Sequence, residues 1–318
     1  MTRRVMLAAA ICLLPALMGC PRGPYARCPE RFVALPQLVA DHNANARRVP
    51  RLWARARVRV SAPWLVYGSA SALAAPNALL LLSKAHPEAG TPDFVLRGRD
   101  VVELFRLGID ARAGLYYFWA NVGDSGWAWF GRTKYAGAPA VKGPPIDPTQ
   151  LVEVLGVTEL PAVAPDKLPA VVMQMQGRPR PAYVVQYLKP QPVTGHLKLW
   201  REVYFTWAKD TPPRPFRVRL FDAAGFCRVT ADLADYKPIA TGEQDVPGPV
   251  MPTDIRMSWP AIKNVQKAAT LHIRLSDMST TKPFSNKVFG FREHLPGGLE
   301  PVQLDSAYGQ WQPAGEDR

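Results

Sequence analysis

The sequence predicts an α+β fold in which one large, strongly curved antiparallel sheet carries one or two helices on one face. Residues 53–60 alternate between apolar residues and arginines, as in a strand with one face on a core and one in water. The 33 prolines divide the chain into segments too short for long helices. The sequence lacks a sustained alternation of strand and helix patterns, which argues against a doubly wound parallel sheet.

Two helices are expected. Apolar residues recur at helical spacing over residues 35–48, and Pro36 suits the first turn of that helix. A second helix should begin after Asp147, which can act as its N-cap, and Gln150 occupies the position of a capping-box partner. Gly156 should end this helix, because glycine readily adopts the left-handed conformation that follows a last turn.

Short apolar and aromatic runs predict many strands. They lie near residues 53–60, 77–83, 93–97, 115–122, 127–132, 168–175, 182–189, 196–208, 215–221, 225–234, 250–259 and 269–277. Residues 99–108 fit either a helical turn or a strand. The hairpin formed by residues 115–132 is apolar on both faces, so a helix, a second sheet or a ligand should cover each face. The tail from about residue 279 has little periodicity and should be irregular, with part of it packed on the domain.

The first twenty residues have the features of a lipoprotein signal. A basic start and an apolar run lead into a tetrapeptide, Leu17-Met18-Gly19-Cys20. It resembles the lipobox of bacterial lipoproteins, in which the cysteine thiol receives a diacylglycerol and the peptide is cut before it. The run is shorter than the ~20 residues of a membrane-spanning helix. An ordinary secretory signal with a chance cysteine is the alternative. We expect Cys20 to carry lipid, including palmitate, and to tether the protein to a membrane.

Charge and cysteine content restrict the partners. The formal charge is +13, and removal of residues 1–19 leaves +11. This balance fits a solvated face or a surface that meets anionic lipid or polysaccharide, whereas nucleic acid is not expected for an exported protein. Cys28 and Cys227 are the cysteines left beside Cys20 in the mature chain. They could form one disulfide, or Cys227 could be a small buried residue.

No motif indicates catalysis, a metal or a cofactor. The five histidines are scattered, and no Cys/His spacing suggests zinc. Residues 123–126 (Gly-Asp-Ser-Gly) are similar to the tetrapeptide around the nucleophile of trypsin-like proteases. Trp127 stands where that family has a further glycine, and the same residue types suit a hairpin turn. We therefore expect a protein that is not an enzyme, with an unrecognised envelope hydrolase as a minor alternative.

Aromatic residues give the strongest indication of a binding site. An apolar cavity for an acyl chain is expected to be lined by some of five residues, Trp119, Trp127, Trp129, Phe205 and Trp207. Alternation implies that Trp127 and Trp129 share one face while Ala128 takes the other. Phe205 and Trp207 should share a face for the same reason. The alternative is that these side chains form an ordinary solid core.

The mature chain resembles the periplasmic lipoprotein-carrier superfamily with the LolA/LolB-like fold, in a lipid-anchored form. The similarity lies in residues 38–60, 98–119, 216–236 and 252–277, which are similar to the opening helix and first strand, the middle strands, a later hairpin and the last long strands. The resemblance implies an unclosed antiparallel β-barrel with helices that plug its concave side. It also implies binding of lipid or lipoprotein acyl chains without catalysis or a cofactor.

These observations predict a domain plan and a function. Residues 1–19 form the signal peptide, 20–33 the tether, 34–305 the half-barrel and 306–318 a loose tail. The expected protein is an envelope lipoprotein that binds lipid or acylated protein, with a role in lipid or lipoprotein transfer. The alternative is a structural lipoprotein that uses the fold as a scaffold for protein or polysaccharide. Pro21, in place of an aspartate retention signal, favours the outer membrane, facing the periplasm.

Overall fold

The computed structural model describes residues 32–62, 72–100, 102–122, 125–138, 141, 146–163, 169–177, 179–190, 195–207, 211–222, 224–242, 246–262 and 268–311. The signal peptide, Cys20, its lipobox and Cys28 lie outside the described residues, so the predictions made for them stay predictions. Neither helix in the described part is long and apolar enough to cross a membrane.

The described residues form one sheet and two helices. The helices are α1 (Leu35–Arg47) and α2 (Pro148–Val154). Short 3-10 turns cover Pro87–Ala89, Thr133–Tyr135, Asn286–Phe289, Arg292–His294 and Ser306–Tyr308. The strands are β1 (Arg51–Ser61), β2 (Ala72–Ser83), β3 (Asp93–Arg99), β4 (Glu103–Asp110), β5 (Leu115–Val122), β6 (Ser125–Arg132), β7 (Ala170–Gln176), β8 (Ala182–Pro190), β9 (Leu197–Thr206), β10 (Pro215–Phe221), β11 (Cys227–Pro238), β12 (Val250–Trp259), β13 (Ala269–Ser279) and β14 (Val302–Gln303).

The sheet consists of two antiparallel meanders joined at their centre. Its order is β14-β6-β5-β4-β3-β2-β1-β13-β12-β11-β10-β9-β8-β7. Strand β1 pairs with β2 on one side and β13 on the other, and so connects the N-terminal meander to the C-terminal one. The short β14 runs parallel to β6, which makes the sheet mixed at that edge. The sheet does not close, and this confirms the predicted curved, unclosed sheet with helices on one side.

Strand β1 shows how the sequence sets the two faces. Its even-numbered residues from Leu52 to Val60 are buried, whereas Arg55, Arg57 and Arg59 are exposed. The buried side belongs to the main core, which also contains apolar residues of α1 and α2. We call this side the concave face and the arginine side the convex face.

Contacts of α2 show that the sheet curls strongly. This helix contacts β4 and β5, and its Glu153 carbonyl accepts a hydrogen bond from Arg201 on β9 at 2.8 Å. Strands β5 and β9 are nine positions apart in the sheet, which is roughly 43 Å if the sheet were flat. A seven-residue helix is only about 10 Å long. Both halves of the sheet must therefore bend around α2.

Helix α1 is fixed over one end of the concave face by two side-chain amides, the buried Asn43 and the half-buried Asn45. Asn43 donates to the Leu160 carbonyl at 2.8 Å and accepts from its N–H at 2.7 Å. Asn45 makes the same pair of bonds with Val250 at the start of β12. The helix thus joins the segment after α2 to the second meander. Its start after residue 34 and its Pro36 agree with the sequence-based prediction.

Glycines in the N-terminal meander lie under aromatic rings of the neighbouring strand. Gly108 is directly opposite Tyr117, and a Cβ on that glycine would lie 2.6 Å from the Tyr117 hydroxyl. Gly131 is opposite Tyr116 in the same way, with 2.7 Å to the ring. The missing side chains provide the space that the rings occupy, and this packing stabilises the pairing of β4, β5 and β6.

The C-terminal segment covers the convex face of the first meander. Phe289 packs with Leu81 and Val95, and Phe291 stacks on Tyr117 with ring centroids 5.2 Å apart. The aromatic hairpin is therefore covered on its convex side by chain from the irregular tail. Residues 306–311, expected to be loose, lie against the sheet, where Trp311 packs edge-on against Phe130.

The structure decides two local expectations. Residues 103–110 form strand β4, which confirms the strand alternative for this stretch and makes the helical turn wrong. Asp147 does cap α2 by accepting from the Thr149 N–H at 2.8 Å, but Gln150 does not complete a capping box. The Gln150 side chain instead accepts from Nε1 of Trp259 on β12 at 3.0 Å, because tertiary packing offers it a buried donor.

Candidate functional site

The strongest candidate site is a group of stacked rings on the concave face of β5 and β6. Trp127 and Trp129 stack with centroids 6.2 Å apart, and Trp129 stacks on Phe118 at 5.6 Å. We call these three residues the tryptophan stack. Both tryptophans are half-buried and contact the main core. They share a face, and the buried Ala128 lies between them on the other, as the alternation predicts.

The tryptophan stack lies at the rim of the concave face, because β5 and β6 are close to the β14 edge of the sheet. Helix α2 contacts the adjoining β5, and Trp129 is paired with Val302 of β14. Leu299 lies over Gly126, at a distance that leaves no room for a Cβ. Gly126 has the parity of Ala128, so Leu299 covers the convex side of β6. On the concave side, the rigid rings of the stack present an apolar, partly exposed surface beside α2.

Trp119 belongs to the opposite face. In the β5–β6 register it pairs with Ala128, whereas Trp127 pairs with Ala120. Trp119 shares its side of β5 with Tyr117, which contacts the C-terminal segment on the convex face. Of the five residues predicted to line a cavity, Trp119 is the one that the concave face does not include.

Phe205 and Trp207 lie on the concave side of the second meander but differ in burial. Phe205 is fully buried and meets His42 of α1 edge-on at 6.1 Å, so it is part of the solid core. Trp207 is half-buried and lies 6.1 Å from the ring of Tyr183. The exposed Phe32, the first described residue, contacts the same Tyr183 ring at 6.4 Å. The first described residue thus lies on the ring of Tyr183, which also contacts Trp207.

A buried polar group lies between α2 and β8–β9 on the same face. Arg201 is only 5% exposed, and its Nε has no partner among the described residues. The buried hydroxyl of Tyr187 also lacks a partner there. Lys189 lies with its Nζ 3.3 Å from the centroid of the Trp200 ring. Sequence analysis did not identify these residues, although Arg201 has the same parity as the apolar Val203 and Phe205.

Burial dominates the electrostatics of this polar group. It raises the pKa of the Tyr187 phenol to about 12, with the Arg201 charge opposing the shift. Burial also raises the pKa of the Glu153 carboxyl, although Arg201 and Lys189 oppose this. The pKa of Lys189 is lowered, again mainly by burial. Lys189 itself is exposed, whereas the buried donors of Arg201 and Tyr187 are poorly solvated and favour an anionic or ester group that can accept their hydrogen bonds.

Of the remaining predicted site residues, Cys227 is the one that lies within the described ranges. Cys227 is half-buried, with its thiol donating to the Val229 carbonyl at 3.4 Å. Its pairing with Cys28 stays a prediction. No group of three or more His, Cys, Asp or Glu side chains that could hold a metal occurs within the described ranges. The expectation that the protein is not an enzyme stays a prediction as well.

Comparison with known proteins gives structural similarities only. No family model and no curated protein matches the chain. A DUF1329 family protein from Desulfovibrio piger is 11% identical with a TM-score of 0.44, covering 80% of this chain and 95% of its own. A LolA superfamily protein from Nitrosomonas europaea is 11% identical with a TM-score of 0.41, covering 80% and 98%.

A third solved structure is an outer membrane lipoprotein-sorting protein domain from Vibrio parahaemolyticus. It is 10% identical with a TM-score of 0.41, and the match covers 80% of this chain and 96% of that domain. At these identities and TM-scores the three similarities concern the fold and carry no argument about function. The chain is similar in structure to a member of the LolA superfamily.

Proposed function

We propose that the protein is a lipid-anchored envelope protein that binds the acyl chain of a lipid or an acylated protein on its concave face. The observation that carries this proposal is the tryptophan stack. Trp127 and Trp129 remain half-buried at the rim of an otherwise buried apolar face. Each methylene group that such a surface removes from water contributes about 0.8 kcal/mol, so a chain of ordinary length binds well even when only partly covered.

The open edges of the sheet support a site that a ligand can enter. The sheet curls around α2 but does not close, and its last strand, β7, pairs only with β8 among the described strands. The concave side of β7 has the half-buried Val171 and Met173 in contact with the main core. Methionine adapts its shape to varied apolar partners. The buried donors of Arg201 and Tyr187 are suited to the polar end of the ligand.

The location of the tether favours a role at a membrane. Phe32, where the described chain begins, lies against Tyr183 and near Trp207 on the concave side. A lipidated Cys20 would hold the start of α1, and with it this part of the sheet, close to the bilayer. We place the protein in the outer membrane, facing the periplasm, with transfer of lipid or lipoprotein as its role and no cofactor.

A fluorescent fatty-acid probe tests the proposal. The protein used is the mature chain, residues 20–318, with Cys20→Ser, so that neither a lipid anchor nor the apolar signal segment competes for the probe. We expect the probe to bind, and Trp127→Glu to weaken binding at least tenfold, because a carboxylate is costly to bury against an acyl chain. Trp127→Phe should retain most of the affinity and tests whether the site tolerates a smaller ring.

Trp311→Glu is the matched control, since Trp311 is also a half-buried tryptophan but packs against Phe130 on the convex face. It should leave probe binding unchanged. If the probe does not bind the unsubstituted protein, or if both glutamate variants weaken binding equally, the concave site is wrong. That result favours the scaffold role, in which the aromatic residues act only as core.

A further inference from the structure

The convex face has a second feature that the concave site does not explain. A groove of about 570 Å³ lies across β1, β2, β3 and the start of β4. Its floor includes Leu79, and its walls include Trp53, Arg55, Arg97 and Arg99. Trp53 and Leu79 also contact the cluster formed by the C-terminal segment. The groove therefore lies beside the part of the convex face that this segment covers.

Strand register brings the arginines together. Arg55 is paired with Leu79, Leu79 with Arg97, and Arg97 with Arg106, so one row of side chains crosses four strands. Arg55 and Arg97 are two strand spacings apart, about 10 Å between backbones. Their long side chains can converge over Leu79. The β1–β2 pairing is irregular between Ala56 and Val58, beside Pro76, and such bulges often reshape a surface next to a binding site.

The negative charge in the groove is already neutralised. Glu103 accepts from Arg106 Nε at 2.6 Å and from Nη2 at 3.2 Å, and Arg106 is buried. The nearest guanidinium nitrogen of Arg97 is 3.9 Å from the same carboxylate. Arg55 has only an exposed contact with Asp277 at 3.4 Å, which contributes little. A single carboxylate in the groove thus faces several arginines.

Three further arginines have no side-chain partner in the described ranges. These are Arg99 in the groove, and Arg57 and Arg59, which continue along the exposed side of β1. Elsewhere on the convex face, arginines do have carboxylate partners. Asp254 binds Arg256 at 2.9 Å and Arg274 at 3.3 Å, and Asp232 binds Arg217 at 2.6 Å. The arginines of the groove and of the adjoining part of β1 are therefore less fully paired with carboxylates than those of β10, β12 and β13.

We propose that this groove is a binding site for a phosphate ester, which enters between Arg55 and Arg97 and is also contacted by Arg99. Arginine forks match the oxygens of a phosphate group, and one phosphate has enough oxygens to accept from two forks. The apolar floor and Trp53 would contact the organic part of the ester. The source is either the headgroup of an anionic phospholipid or a soluble phosphate ester. This site is independent of the concave face and of the function proposed for it.

The test measures binding of the mature chain, residues 20–318 with Cys20→Ser, to phosphatidylglycerol vesicles, to phosphatidylcholine vesicles and to soluble glycerol phosphate. We expect binding to phosphatidylglycerol and not to phosphatidylcholine, with competition by glycerol phosphate. The double variant Arg97→Gln/Arg99→Gln should weaken binding about 25-fold, which is roughly fivefold for each arginine near an anionic surface. Its thermal midpoint should not change, because neither residue is buried.

The control is Arg217→Gln/Arg256→Gln, which removes the same charge from two arginines that are paired with carboxylates. We expect it to change binding less than twofold. Binding of glycerol phosphate without binding to vesicles supports the groove and assigns it a soluble ester. An equal loss in the control, or no binding to any phosphate source, overturns the proposal.

Discussion

Arg132 on β6 and Asp305 in the C-terminal segment form an ion pair in which Asp305 is completely buried. The Nε of Arg132 donates to Oδ2 of Asp305 at 2.6 Å, and its Nη2 donates to the carbonyls of Tyr308 and Gly309. Burial alone would raise the pKa of Asp305, but hydrogen bonds from Arg132 and Gln303 lower it below its usual value. One side chain of the sheet thus fastens the end of the segment that covers the convex face.

Asp305→Asn should therefore release the C-terminal segment. The substitution leaves the Arg132 guanidinium without its charged partner, and breaking a buried pair costs about 3–5 kcal/mol. We expect the free energy of unfolding to fall by that order and the segment around residues 284–311 to become sensitive to trypsin. Chemical denaturation and limited proteolysis measure the two effects.

An exposed ion pair is the control for this prediction. Glu159 pairs with Arg47 at 2.9 Å, and both side chains are about half exposed. Glu159→Gln should change the free energy of unfolding by less than about 1 kcal/mol. Equal effects of the two substitutions would show that the buried pair does not hold the segment.

The packing of the C-terminal segment on the convex face could not be predicted from the sequence, whereas the two helices could. Helices α1 and α2 were predictable because Pro36, Asp147 and Gly156 are local signals that lie at the helix ends. Residues 284–311 have no such period, and their stability depends on single aromatic residues such as Phe289 and Phe291 that meet partners far away in sequence. Those contacts are set by the sheet, so the sequence around them contains no signal.

The same limit applies within the candidate site. Alternation correctly placed Trp127 and Trp129 on one face, because that relation is within one strand. It could not show that Trp119 lies on the other face, since this depends on the register between β5 and β6. The buried Arg201 was predictable in principle, because it follows the parity of apolar neighbours on β9.

Acid should destabilise the protein through His42. Burial lowers the pKa of this imidazole to about 4, and its Nε2 donates to the Thr158 carbonyl at 3.0 Å. Between pH 6.5 and 4 the unfolded chain takes up a proton that the folded chain does not. The stability contributed by neutral His42 is therefore complete above pH 6.5 and falls as the pH decreases, by up to about 3 kcal/mol.

This contribution is measured by comparing the unfolding free energies of the unsubstituted protein and His42→Gln at several pH values. The difference between the two proteins should change steadily from pH 7 to pH 4, because glutamine does not titrate. A constant difference over this range would show that His42 does not supply the pH dependence.

Lipidation at Cys20 is a separate prediction from the signal sequence. Cys20→Ala should prevent attachment of the diacylglycerol and removal of residues 1–19, so that the protein is uncleaved or is released in soluble form. Cys12→Ala is the control, since Cys12 lies in the same signal but outside the lipobox. Intact mass and membrane fractionation report both steps. If Cys20→Ala stays in the membrane with the mass of the unsubstituted protein, the lipobox prediction is wrong.

Photolabelling with a diazirine fatty acid tests the central claim most directly, because it locates the acyl chain on the protein. The mature chain, residues 20–318 with Cys20→Ser, would be labelled, digested and mapped by mass spectrometry. If the concave face binds the acyl chain, label appears on Trp127, Trp129 and residues of α2, and unlabelled fatty acid prevents it. Label confined to convex-face residues outside the arginine groove, such as Trp311, or label that competitor does not reduce, would contradict an acyl-chain site on the concave face.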